Sequence, residues 1–223
     1  MRGDFSARML PGAAARLVLD EERLPFTDAS VDLVVSLLSL HWTNDLPGAL
    51  AQIRRALKPD GLFLGALFGG ASLQELRWAL TEAELELTGG AGPRVSPFAD
   101  AADGANLLQR AGFALPVSDI DRVTVRYADP LRLMADLRAM GETGVLAERP
   151  RPLTRAVLGR AVDLYRSRYG EPDGRVRATF EIVSLAGWAP HPDQQKPLRP
   201  GSAKMRLADA LKTRERPAGE RAG

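Results

Sequence analysis

VDLVVSLLSLHWTNDLPGALAQIRRALKPDGLFLGAL, residues 31–67, decides the fold. Val31 to Leu37 is a short run rich in β-branched residues and apolar on both faces, which marks a strand of a parallel sheet covered on both sides. Asp45 is placed to cap a helix through Leu57, with Leu46, Ala49, Leu50, Ile53 and Leu57 on one stripe. Lys58-Pro59-Asp60-Gly61 stops that helix, and Leu62 to Leu67 reads as the next strand. Strand, helix and strand at this spacing form a βαβ unit, so the sequence predicts an α/β fold.

Working outward, the tetrad Arg16-Leu17-Val18-Leu19 is bounded by acids and reads as a buried strand. Its segment Leu17 to Leu19 is expected in one parallel sheet with the strands at Val31 and Leu62. Phe5 to Ala15 carries a short helical pattern. Downstream, Ser72 is placed to cap a helix through Leu87, and Asp100 or Asp103 one through Ala111 that Gly112 ends. Val117 to Tyr127 and Val176 to Trp188 read as strands, and Pro130 to Met140 and Leu153 to Tyr169 as helices. The expected organisation is one domain over 1–211, with an α/β core to residue 70 and a C-terminal part from 71. A charged tail containing Pro and Gly follows at 212–223.

The 223 residues suit one full α/β domain, and 45% hydrophobic with 26% charged residues is an ordinary globular composition. A formal charge of +2 argues against a dedicated nucleic-acid binder despite a sequence pI near 9.2. Without cysteine there is no disulfide, iron–sulfur cluster, thiolate zinc site or cysteine nucleophile. The longest apolar stretch, Val31 to Leu40, is interrupted by Asp32, Ser36 and Ser39 and falls short of the ~18 residues that span a bilayer. Met1-Arg2-Gly3-Asp4 lacks the apolar core of a signal peptide, so the expectation is a cytoplasmic protein with no membrane span.

Few residues can carry chemistry. Asp20 and Glu21 follow a strand at the edge where open α/β sheets bind ligands, and either can accept hydrogen bonds from a ribose diol or an adenine amino group. A helix cap or a solvated loop is the bland alternative for both. His41 and Trp42 follow the next strand, pairing a group that titrates near neutrality with a stacking surface. Two isolated histidines, His41 and His191, with no HxxxH or HxE spacing make no metal site. No Gly-x-Ser-x-Gly elbow and no Walker A motif occur, and Gly69-Gly70 and Gly89-Gly90-Ala91-Gly92 read as turns.

The run Asp4-Phe5-Ser6-x-x-Met9-Leu10, Asp20-Glu21-Glu22-Arg23-Leu24-Pro25-Phe26, Asp32 to Ser36, His41-Trp42 and Leu57-Lys58-Pro59-Asp60-Gly61 resembles the core of class I S-adenosylmethionine-dependent methyltransferases. Phe68-Gly69-Gly70, Leu73-x-Glu75-Leu76-Arg77, Ser96-Pro97-Phe98, Arg110 to Phe113 and Met140-Gly141-Glu142 extend the match. So do Asp173-Gly174-x-Val176 and Gly187-Trp188-x-x-His191, and together these resemble the mitochondrial complex I assembly factor 5 group and its bacterial relatives. A weaker resemblance is to the malonyl-carrier-protein methyltransferase of biotin synthesis.

These resemblances imply a Rossmann-like methyltransferase fold and S-adenosyl-L-methionine as cofactor. The acceptor is implied to be a protein or small molecule, with a respiratory complex I subunit as one candidate; the alternatives to methyl transfer are a non-methylating assembly or binding factor that holds a partner chain in its cleft and arginine hydroxylation of a respiratory-chain subunit. Carried over by position, Asp4 matches the ribose-binding carboxylate and Asp20 with Glu21 the acidic pair near adenine, with Leu37, His41 and Trp42 on the cofactor and substrate side. His41 is the candidate base, and Met140, Gly141, Glu142, Trp188 and His191 are candidates for shaping the acceptor site. The resemblance also implies that the family's first strand and glycine-rich turn are missing ahead of Asp4. The chain as given is therefore expected to bind the cofactor weakly, and Asp20→Ala in a longer form is expected to weaken binding while sparing the fold.

Overall fold

The computed structural model describes residues 2–4, 16–96, 104–143, 152–194 and 205–213. The expected helix at Phe5 to Ala15 lies outside them, as do Asp100, Asp103 and the tail beyond Thr213. Two units divide the chain, Met1–Pro190 and His191–Gly223. In the second, the described helix is the short Leu207–Ala210.

In the first unit, β1 (Arg2–Asp4) and β2 (Arg16–Val18) form a parallel two-stranded sheet. A separate four-stranded sheet contains β3 (Val31–Leu37), β4 (Leu57–Phe68), β5 (Ala114–Tyr127) and β6 (Val176–Trp188) in the order β3-β4-β6-β5. β3 and β4 run parallel, whereas β6 lies antiparallel between β4 and β5. The helices are α1 (Leu46–Ala56), α2 (Gln74–Thr88), α3 (Gly104–Arg110), α4 (Pro130–Met140) and α5 (Arg155–Tyr169).

Several sequence expectations hold in detail. Asp45 caps α1, its Oδ1 accepting from Gly48 N–H at 2.9 Å. Gly112, at φ +88°, ends the helix before it. The helix at Pro130 to Met140 and the strand at Val176 to Trp188 stand at their expected bounds.

Three expectations need correction. The Leu17 strand does not share a sheet with β3 and β4: among the described residues it pairs with β1, and the outer edge of β3 faces it across a cleft. β3 is consequently an edge strand, with Leu33, Val35 and Leu37 exposed despite their apolar character. Lys58-Pro59-Asp60-Gly61 is not a pause between helix and strand. Leu57 already pairs with Val31, the register slips between Val31 and Leu33, and Asp60 takes φ +65°, so the turn residues are absorbed as an irregularity at the strand's start. Finally, Ser72 does not cap α2. Leu73, at φ +54°, stands at the cap position, and the Ser72 hydroxyl instead donates to Glu181 O at 3.0 Å while accepting from Glu181 N–H at 2.9 Å.

The strand period of two divides the core between two faces. Phe63, Leu67, Val183 and Leu185 pack with α1 and α3 through Leu50, Ile53 and Leu108. Phe68, Val176, Ala178 and Phe180 pack with α2, α4 and α5 through Leu80, Leu133 and Tyr165.

Within the second layer, Glu75 and Glu181 are buried carboxylates that β6 and its neighbours supply with donors. Glu75, 2% exposed, accepts from Thr179 Oγ1–H at 2.6 Å and from Thr179 N–H at 3.0 Å. Glu181, 4% exposed, accepts from Arg122 Nε–H at 2.7 Å and from Ala71 N–H at 3.3 Å. Gly69 is required beside it, because an added Cβ would lie 2.5 Å from Glu181 Oε1. Burial, and after it the Glu75 carboxylate, push the Tyr165 phenol above its ordinary range, so Tyr165 stays a neutral donor to Arg177 O at 2.8 Å.

Thr179→Val removes one donor from a buried carboxylate while preserving volume. It is expected to lower the unfolding free energy by about 1–3 kcal/mol, against about 1 kcal/mol for loss of the α1 cap in Asp45→Ala. Chemical denaturation of the two variants checks the order, and a Thr179→Val variant as stable as the parent would contradict the account of Glu75.

Candidate functional site

A cleft of about 410 Å³ lies between β2 and the outer edge of β3, between the Leu17 and Val34 strands, where the resemblance puts the family's first strand. Its walls include Leu17, Leu19, Glu21, Leu24, Phe26, and the run from Leu33 through Leu37 with Ser39 and Leu40. Such a volume lies within the range of small-ligand sites, and the lining is mostly apolar with one carboxylate.

The acidic loop forming one wall is held by a short network. Asn44 donates to Glu22 Oε1 through its backbone N–H and also through Nδ2 at 3.0 Å. Gln52, on α1, donates from Nε2 to Glu22 O at 2.8 Å, and its Oε1 accepts from Leu24 N–H at 3.1 Å. The loop is thus fastened to α1, which fixes where Glu21 stands. Sequence reasoning missed Glu22, Asn44 and Gln52 as a group. The legible signal was a polar Gln52 beside the apolar stripe of α1, and that names no partner.

The expected acidic pair divides. Glu21 is half-buried and lines the cleft. Asp20 is exposed, and its Oδ1 accepts from Glu22 N–H at 2.9 Å, so this carboxylate is engaged within its own turn. Asp4 ends β1, the strand beside the cleft-lining β2.

The far end of β3 carries the aromatic and histidine positions. Leu37 is 70% exposed and lines the cleft. Leu38 turns the chain away at φ +52°, a left-handed conformation that costs a leucine about 1–3 kcal/mol and persists where the surrounding structure over-determines the backbone. A 3-10 turn, Leu40–Trp42, follows. The His41 side chain is 1% exposed and does not open on the cleft. Its ring packs edge-on to Phe68 at 4.9 Å and beside Trp42 at 5.1 Å, and Nε2 lies 3.4 Å from Glu142 Oε2. His41 therefore lies behind the cleft wall beside Glu142 and does not line the cleft itself.

Of the acceptor-site candidates, Glu142 is the one brought to His41. Gly141, at φ +87°, ends α4, and Glu142 N–H donates back to Leu137 O at 2.9 Å, which turns the Glu142 side chain toward the 3-10 turn. Met140 is exposed at the helix end. Trp188 is not part of this cluster. It pairs with Leu62 at the start of β4, while His41 packs on Phe68 at the strand's other end. His191 belongs to the second unit, where its Nδ1 accepts from Asp193 N–H at 3.2 Å.

The cleft's donor and acceptor set fits a nucleoside-type ligand. Leu17, Leu19, Leu24 and Phe26 offer apolar contact for a flat ring, and Glu21 accepts from an amine or hydroxyl. Residues 2–65 match the family model described as methyltransferase domain. The chain is 48% identical over 196 residues to the arginine-hydroxylase NDUFAF5, mitochondrial, of Danio rerio, covering 88% of this chain and 61% of that protein. It is 46% identical over 193 residues to the human protein of the same name, covering 86% and 56%. With the malonyl-[acyl-carrier protein] O-methyltransferase of Halorhodospira halophila it shares 40% identity over 170 residues, covering 76% and 56%. The chain therefore spans about three fifths of the length of these curated relatives. By sequence the chain is similar, over most of its length, to the NDUFAF5 arginine hydroxylases and the malonyl-[acyl-carrier protein] O-methyltransferases, and its residues 2–65 match the methyltransferase domain.

Proposed function

We propose that the chain is the greater part of an S-adenosylmethionine-dependent, methyltransferase-type protein whose cofactor lies in the cleft between β2 and β3. The observation that carries this reading is Glu21, half-buried just past the carboxyl end of β2 and the one carboxylate on a cleft lined mainly by aliphatic residues with Ser36 and Ser39. When bound there, S-adenosylmethionine supplies an electrophilic methyl group on a sulfonium. Glu21 would accept from the nucleoside portion, Leu17 and Phe26 would cover its ring, and Leu37 would close the end nearest the acceptor. The chain's contribution to methyl transfer is positioning, since an in-line displacement needs orientation first and a base only for a protonated acceptor.

A second reading, hydroxylation of a protein arginine, is favoured by the NDUFAF5 relatives and by Glu142. This carboxylate is 15% exposed beside Phe68, Leu73, Leu137 and Phe180, and a carboxylate is the group that pairs with an arginine. On this reading the acceptor is a protein, and a respiratory complex I subunit is the candidate. The cysteine-free composition suits a reducing compartment such as the cytoplasm.

The two acidic neighbours separate the cofactor reading from a purely structural one. Equilibrium dialysis with labelled S-adenosylhomocysteine is expected to show affinity about ten- to a hundredfold lower in Glu21→Ala, the loss of a hydrogen bond to a charged acceptor. Asp20→Ala is expected to lower the melting temperature and to leave affinity nearly unchanged, because its carboxylate serves the Glu22 N–H. Unchanged affinity in Glu21→Ala would remove the adenosine from this cleft. Incubation with labelled S-adenosylmethionine and a lysate then tests the chemistry, with a labelled product supporting methyl transfer and an unlabelled, hydroxylated arginine supporting the second reading.

A further inference from the structure

The His41–Glu142 contact joins two parts of the chain that the cofactor reading treats separately. His41 sits in the 3-10 turn Leu40–Trp42, and this turn is continuous with cleft-lining residues Leu37, Ser39 and Leu40. Glu142 sits one residue past the left-handed Gly141 that ends α4. The two side chains are 101 residues apart in sequence and meet at 3.4 Å between Nε2 and Oε2. With the imidazole 1% exposed and the carboxylate 15% exposed, little water competes for the contact. The turn has its own local bonds, Trp42 N–H to Ser39 O at 3.0 Å and Thr43 Oγ1–H to Leu40 O at 2.8 Å, and it therefore moves as a piece.

We propose that Glu142 is a positioning residue for the cleft. Its carboxylate holds the His41 ring from one side while Phe68 holds it edge-on from another, and the ring in turn fixes the Leu38–Trp42 segment, of which Ser39 and Leu40 line the cleft. The end of α4 and the rim of the cleft are thereby linked through one buried imidazole. Anything that displaces Glu142, including an acceptor side chain that binds this carboxylate, loosens the wall. The role in ligand affinity rests on the cofactor reading above, whereas the positioning of the turn does not.

Because the chain holds two histidines, the imidazole nitrogen resonances can be assigned with a single His191→Gln control. With the imidazole neutral in the parent, Nε2–H donates to Glu142 Oε2, so the His41 spectrum is expected to show the Nε2–H tautomer. Glu142→Leu is expected to lose that preference, to move the methyl resonances of Leu37 and Leu40, and to weaken S-adenosylhomocysteine binding by about fivefold or more. Glu142→Gln keeps an acceptor of the same shape and is expected to restore the tautomer and stay within about twofold in affinity. Should Glu142→Leu not fold, Gly141→Ala, which keeps the carboxylate but strains the turn that aims it, is expected to give the same changes more weakly. A Glu142→Leu protein with the parent's tautomer and unmoved Leu37 and Leu40 methyls would overturn the proposal. If the spectra respond as expected and no form binds S-adenosylhomocysteine, the positioning role stands and the cofactor reading fails.

Discussion

β6 is the strand on which the first unit depends. It runs antiparallel between β4 and β5 and so converts a parallel β3–β4 pair into a sheet with two covered faces. Its odd and even residues feed the two cores separately, Val183 and Leu185 toward α1 and α3, Ala178 and Phe180 toward α2, α4 and α5. Its backbone and side chains also hold the β4–α2 connection: Gly69 and Leu73 N–H donate to Glu181 O and Thr179 O at 2.8 and 2.7 Å, and Ser72 bonds Glu181 twice. Carboxylates this deeply buried are tolerated only when their oxygens are supplied with donors, and Glu75 and Glu181 each have two. The connection so fixed places Phe68 under His41.

From there the site follows. Phe68 and Glu142 enclose the imidazole, the imidazole steadies the turn after β3, and that turn forms one wall of the cleft. The opposite wall is the acidic loop fastened to α1 through Glu22, Asn44 and Gln52. Both walls are thus set by polar contacts reaching back to the packed helices and strands, while the cleft's interior stays largely apolar. Side chains placed this way can bind and orient a ligand without rearranging, which is what catalysis by positioning requires.

How much of this is legible in the sequence depends on the range of the interaction. Period and punctuation placed α1, α4, β3 and β6, because Asp45, Gly112 and Pro130 act on residues within one turn and apolar runs report burial locally. The edge position of β3 was not legible in its own residues, because Leu33, Val35 and Leu37 have the composition of a doubly covered strand, but the resemblance implied it by putting the family's first strand between Leu17 and Val34. Nor was the role of Ser72, whose side chain fits a helix cap equally well but finds Glu181 109 residues away. At the site, Glu21 and Glu142 were legible as positions and His41 as a titratable group. That Asp20 turns into its own loop, that Trp188 stands at the other end of the sheet, and that His41 faces Glu142 in place of the cleft are consequences of tertiary packing with no periodic signature.

The central claim is that the cleft between β2 and β3 holds the adenosine of S-adenosylmethionine. The most direct measurement is a map of backbone amide and methyl resonances during titration with S-adenosylhomocysteine, a method that also registers weak binding. The account predicts saturable shifts concentrated at Leu17, Leu19, Glu21, Leu24, Phe26 and Leu33 through Leu40, with α5 and the far strand β5 unmoved. Shifts that cluster elsewhere in the chain, or none at millimolar ligand, would contradict it.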